Sequence, residues 1–218
     1  MSAAAPLTTA EKTVGILIYP SVEVLDFCGP FEVFATTRLD EETRRETSSP
    51  IHQLIIAESK ELVRTSGGMM IRPNEDFGSC PALDMLLVPG GHGVRPLLHQ
   101  PEYMEWLQKM APQVERLASV GSGSLLLGEA GLLVGKTATT HFHYVDFFRE
   151  RNPRTSLLPE LSMVVDGNIT TANSIRAGID MALYLVAQVY GQPISREAAR
   201  QMDYPYPDEK NFRTRNGK

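Results

Sequence analysis

Arg116-Leu-Ala-Ser-Val-Gly-Ser-Gly-Ser-Leu-Leu-Leu-Gly-Glu-Ala-Gly-Leu-Leu133 passes from a short apolar run straight into a helix rich in small residues. The first five residues read as a strand, and Leu125 to Leu133 as a helix, with only Gly121 to Ser124 between them. Such a direct strand-to-helix passage is the unit of an α/β protein. Working outward, Thr13–Tyr19, Ile51–Ala57 and Asp84–Val88 give further apolar strands, and Lys136–Thr140 a shorter one. Asp26-Phe-Cys-Gly-Pro30 reads as a turn, with Pro30 opening a helix at the position where its missing N–H costs nothing. Helices are expected over 95–111, 143–150 and 176–190. Hairpins are expected around Gly67-Gly68 and at Asp166-Gly167. Met69, Met70 and the leucines of 125–133 are assigned to the core. Strands alternating with helices predict a mostly parallel sheet covered on both faces.

The composition fits one soluble globular domain. With 42% hydrophobic and 22% charged residues among 218, the chain is ordinary enough to exclude disorder, collagen and coiled coil. Lys plus Arg number 21 against 26 Asp plus Glu, and no stretch masses the basic residues, so nucleic acid is not an expected partner. No apolar run approaches the ~20 residues of a membrane span, and the first residues lack a secretory pattern; a cytoplasmic protein is expected. Cys28 and Cys80 are far apart and read as reduced thiols. No linker divides the chain: residues 1–12 are expected to be a flexible N-terminus, 13–203 a single domain and 204–218 a polar tail.

Ligands of open α/β sheets collect beyond the carboxyl ends of the strands, where helix N-termini point amide hydrogens into the crevice. Three loops qualify: Asp26–Pro30, Pro89-Gly-Gly-His-Gly93 and Ser119–Ser124. The last resembles the elbow that lifts a nucleophile above a sheet, although its spacing is not G-x-S-x-G. The histidines show no ligand pair at helical spacing, and Gly90-Gly91-His92-Gly93 lacks the Lys and Ser/Thr of a phosphate loop. No metal, nucleotide or other cofactor is expected.

Val14-Gly-Ile-Leu-Ile-Tyr-Pro20, Leu25-Asp-Phe-Cys-Gly-Pro30, Leu87-Val-Pro-Gly-Gly-His-Gly93, Ser124–Leu133, Gly135-Lys-Thr-Ala-Thr-Thr-His141 and Ala177-Gly-Ile-Asp-Met-Ala-Leu183 together resemble the ThiJ/PfpI superfamily, and within it the isocyanide (isonitrile) hydratases. The resemblance runs in order over residues 13 to 190. It implies a flavodoxin-like, three-layer α/β sandwich of the class I glutamine amidotransferase type, and a homodimer. Val24, Phe27, Phe31 and Phe34, more aromatic surface than one small helix usually hides, agree with a dimer. The resemblance also implies a nucleophilic cysteine at the elbow, where this chain has Gly121. It places the acidic partner at Asp26, the oxyanion donors at the backbone N–H groups of Gly91 and Ser122, and the histidine after the paired threonines at His141. Ser122 stands where protease-like members carry histidine, which argues against a peptidase.

Covalent thioimidate chemistry cannot run through Gly121. Ser122 offers a hydroxyl beside the elbow, with a local hydrogen-bonding role as its simpler reading; the simpler reading of His92, a candidate for the opening, is an exposed loop histidine, and that of His141 is core or interface packing. Cys28 sits near an expected helix start, a position that favours a thiolate, yet a packed or interface thiol is simpler. A carboxyl at the mouth of an apolar cavity has its pKa raised, which suits Asp26 to proton transfer with water or a small substrate; the alternative is a structural acid that hydrogen-bonds the elbow backbone. The leading expectation is therefore an enzyme with Asp26 as acid/base, acting noncovalently on a small electrophilic or unsaturated molecule by hydration, elimination or rearrangement. The alternatives are a pseudoenzyme or small-molecule sensor without a nucleophile, and an isocyanide hydratase inactivated at Gly121. Since the chain stops soon after the sandwich, no fused DNA reader is expected.

Overall fold

A computed structural model describes residues 7–207 and 212–215. In chain order the elements are β1 (Lys12–Leu17), α1 (Val24–Thr36), β2 (Ile51–Ala57), β3 (Val63–Arg64), β4 (Met70–Ile71), β5 (Glu75–Asp76) and β6 (Met85–Val88). There follow α2 (Val94–Leu97), α3 (Pro101–Met110), β7 (Arg116–Val120), α4 (Gly123–Glu129), β8 (Thr137–Ala138), α5 (Val145–Arg151) and β9 (Ser156–Leu157). The chain ends through β10 (Met163–Asp166), β11 (Ile169–Ala172), α6 (Ile175–Tyr190), α7 (Gln192–Gln201) and β12 (Phe212–Arg215).

The main sheet has the order β12-β10-β11-β7-β6-β1-β2-β5, parallel except for the β10–β11 hairpin. Its central strands are buried along most of their length because helices cover both faces; Ile16, Ile56, Leu86 and Val120 are fully enclosed. The helices α1, α6 and α7 pack on one another in one layer, and α3, α4 and α5 in the other. This is the flavodoxin-like α/β sandwich expected from the sequence. Among the described residues no helix is long and apolar enough to cross a membrane.

Several local expectations are corrected. The stretch Asp26–Pro30 is helix rather than turn: α1 starts at Val24, Asp26 lies in its first turn, and Pro30 is inside it. Pro30 therefore removes one hydrogen bond from the helix interior, a loss offset by burial of the surrounding apolar face. The helix expected over 95–111 is two helices, because Pro101 starts a new one at its first position. Met69 and Met70 are half exposed, since the β3–β4 hairpin is a separate two-stranded ribbon with one face in solvent. Phe27 and Phe34 are buried within the protomer, and Phe31 packs partly against the same core. The aromatic surface of α1 is thus used internally. The segment after 190 contains α7, whose buried Ile194, Ser195, Ala198 and Ala199 recur at helical spacing. Residues 1–6 of the N-terminal segment and 208–211 and 216–218 of the tail lie outside the described residues; Lys12 already belongs to β1, and β12 pairs with β10.

Candidate active site

Adjacent parallel strands β1, β6 and β7 bring their carboxyl ends side by side, as the pairings Ile16 with Leu87 and Val88 with Ser119 fix. The three loops singled out in the sequence therefore meet. The first and second are stitched by backbone: the Glu23 N–H donates to Gly90 O at 2.9 Å, and the Gly93 N–H to Ser21 O at 3.3 Å. The Tyr19 hydroxyl donates to Pro89 O at 2.6 Å beneath them. At the third loop the Gly121 N–H continues the sheet by donating to Ala172 O at 2.8 Å. Its carbonyl accepts from the hydroxyls of Ser124 at 3.1 Å and Thr140 at 3.4 Å.

Gly121 has φ +56, a left-handed conformation that costs a residue with a side chain about 1–3 kcal/mol. A Cβ built there would lie 3.1 Å from Asp26 Oδ2 and 3.9 Å from His141 Cβ. The elbow thus faces the acid across the space that a side chain would fill. Asp26 is 5% exposed, and its Oδ2 accepts a hydrogen bond from the Gly90 N–H at 3.0 Å. Burial pushes its pKa up to about 7, the Gly90 N–H lowers it somewhat and the nearby Glu23 charge raises it. The carboxyl therefore exchanges a proton near neutrality, as acid/base work requires.

The remaining candidates gather at the same place. Gly121, Ser122, Gly91, Asp26, His92 and His141 all line one cavity of about 420 Å³. Ser122 is buried, and its Oγ accepts from the Gly91 N–H at 3.0 Å. The Gly91 N–H is therefore committed to Ser122 in this conformation, which corrects the expectation of two open oxyanion donors. The serine hydroxyl is used locally, whereas the Ser122 N–H donates to no group among the described residues. His141 is half-buried; burial and the neighbouring His143 hold its pKa below the usual histidine range, so it is neutral near pH 7. Its Nδ1 accepts from the His143 N–H at 3.4 Å. His92 is exposed at the rim. Cys28 does not line the cavity, and burial pushes its thiol up, away from the reactive thiolate.

The cavity also holds residues that the sequence reading missed: Glu23, Arg95, His143, Tyr144 and Ile175. Glu23 precedes α1 and accepts from Ser66 Oγ at 3.0 Å, while Ile175 is the first residue of α6. Only their closeness to the three strand ends could have revealed them, and that depends on the fold.

The chain belongs to the DJ-1/PfpI family, whose match spans residues 12–188. It is similar to isonitrile hydratase of Pseudomonas putida, with 35% identity over 192 residues that cover 88% of this chain and 78% of the relative. It is also similar to the HTH-type transcriptional regulator CdhR of Pseudomonas aeruginosa, 33% identical over 140 residues, or 64% of this chain and 41% of the regulator. Among solved structures, a ThiJ/PfpI family protein from Pseudomonas syringae superposes with a TM-score of 0.79 at 30% identity, over 91% of this chain and 77% of that one.

Proposed function

We propose that the protein hydrates a small isocyanide without a covalent enzyme intermediate, with Asp26 as acid/base and the space above Gly121 as the seat of the attacking water. The observation that carries this reading is the buried Asp26 carboxyl 3.1 Å from the Cβ position of Gly121. The likeness to isonitrile hydratase supports the substrate class.

The neutral Asp26 donates its proton to the terminal carbon of R–N≡C, forming the C–H bond and leaving a carboxylate. Water then bonds through oxygen to that carbon, and the carboxylate takes the proton that the water releases. The imidic acid R–N=CH–OH passes to the formamide R–NH–CHO, so one water is added and nothing is oxidised or reduced. In that last step charge builds on oxygen, where the Ser122 N–H is a fixed donor, joined by the Gly91 N–H when the Ser122 hydroxyl turns aside. His141, neutral and set by the Thr139–Thr140 segment, packs beside the elbow and shapes the cavity wall.

The protein acts in the cytoplasm as a homodimer in this reading. Leu25, Leu62, Met69 and Met70, each about half exposed, support a partner surface different from the aromatic one expected. The likeness to the regulator favours a second reading, in which the same cavity senses a ligand without turnover.

An alkyl isocyanide in H2 18O distinguishes them. Labelled formamide, with the intact protein mass unchanged during turnover, is the expected result. A bound isocyanide with no formamide released selects the sensor, and a protein adduct overturns the noncovalent route.

A further inference from the structure

Resting on the reaction just proposed, the geometry points to a substrate that carries a carboxylate, held by Arg95 on the wall of the same cavity. Arg95 lines the cavity from α2 and forms no ion pair among the described residues. Its guanidinium lies over two rings instead, with Cζ 4.8 Å from the Phe147 centroid and 5.6 Å from that of Tyr144. Cation–π contact engages the charge without taking up a hydrogen-bond donor, leaving the N–H edges to a ligand. A carboxylate matches those edges with two parallel hydrogen bonds, the geometry for which arginine is suited.

The rest of the lining sets the orientation. Its two carboxylates, Asp26 and Glu23, lie near one another, Asp26 facing Gly121 and the Glu23 charge acting on Asp26, with Glu23 held by Ser66. An anionic group would be repelled there. His92 and His143 are exposed at the cavity rim and put no negative charge near Arg95. With its isocyano carbon between Asp26 and Gly121, a substrate in the same cavity offers its carboxylate to Arg95, which has no ion-pair partner among the described residues. A cavity of about 420 Å³ holds more than the reacting group alone.

The test uses N-formylglycine and its ethyl ester, the stable products of hydrating isocyanoacetate and ethyl isocyanoacetate, titrated calorimetrically into the full-length protein. The acid is expected to bind about tenfold tighter than the ester, and Arg95→Met to bring the two within about twofold. Arg95→Lys should keep part of the preference, because a point charge remains without the fork. Equal binding of acid and ester, a preference that survives Arg95→Met, or no binding of either probe at about 10 mM overturns the assignment. Turnover separates it from the proposed reaction. Binding preference without hydration of isocyanoacetate retires the reaction and keeps the Arg95 site. Hydration of both isocyanides with equal kcat/KM, unaffected by Arg95→Met, keeps the reaction and retires the site.

Discussion

Two glycine turns face each other over the strand ends, and they are glycine for different reasons. At Gly91, φ is +139 and a Cβ would meet Ser21 O at 2.5 Å, the Glu23 nitrogen at 2.6 Å and Val22 Cα at 2.8 Å. All three are backbone atoms of a loop stitched to the turn, and none can give way cheaply. At Gly121 the nearest atom is a carboxylate oxygen at 3.1 Å, tight yet able to adjust. The first glycine is required by packing. The second is compatible with a side chain at the cost of backbone strain, so its absence matters to chemistry more than to the fold.

The largest effect should come from the packed turn. Gly91→Ala is expected to lower stability by more than about 4 kcal/mol or to prevent folding, as measured by denaturant melting. A variant with unchanged melting would break the distinction. Asp26→Asn, which alters the face opposite Gly121, should reduce formamide release by about a hundredfold or more.

The same substitution should change stability in a pH-dependent direction. A folded pKa of about 7, against 3.8 for the ordinary carboxyl, means that the native state binds the proton more tightly than the unfolded chain. Stability from this group is fully present below 3.8 and is lost as pH rises through about 7. Asp26→Asn should therefore melt higher than the parent above neutrality, with the gain shrinking toward about pH 4. A constant difference across that range would show that the carboxyl is not perturbed.

Gly121→Cys probes the difference between the two turns from the other side. It should fold, lose about 1–3 kcal/mol to the left-handed backbone, and form a mass adduct with an alkyl isocyanide that the parent does not. Inability to fold would place Gly121 in the same class as Gly91. The smallest effect is expected from Ser122→Ala. Loss of the acceptor for the Gly91 N–H should cost about 1 kcal/mol, with formamide release within about threefold of the parent because the backbone donor remains. A hundredfold loss would make the hydroxyl itself the reacting group.

The floor of the site was legible in the sequence because backbone patterns build it. The apolar strands, the Pro89–Gly93 turn and the Ser119–Ser124 elbow mark their own ends, and the parallel order of β1, β6 and β7 brings those ends together. Asp26 lines the cavity beside the elbow, as its place after the first strand suggests, but it sits in a helix where the sequence suggests a turn, since Pro30 hides a helix that burial maintains. The rim was not legible. Arg95 lies in a four-residue helix, Tyr144 in a short 3-10 turn and Ile175 at a helix start, and no spacing in the chain links them. The commitment of the Gly91 N–H to Ser122 Oγ depends on one side-chain rotation, which sequence pattern does not specify. Backbone periodicity thus predicts where a site lies, and packing decides what else reaches it.

The proposed reaction depends on an acid that gives its proton to the substrate and recovers one from water. Formamide release from an alkyl isocyanide, followed from about pH 5 to about pH 9 in the parent and in Asp26→Asn, tests this most directly. The expected result is a rate that declines as pH rises through about 7 in the parent and a near-background rate at every pH in the variant. A variant as fast as the parent, with the same pH dependence, would contradict it.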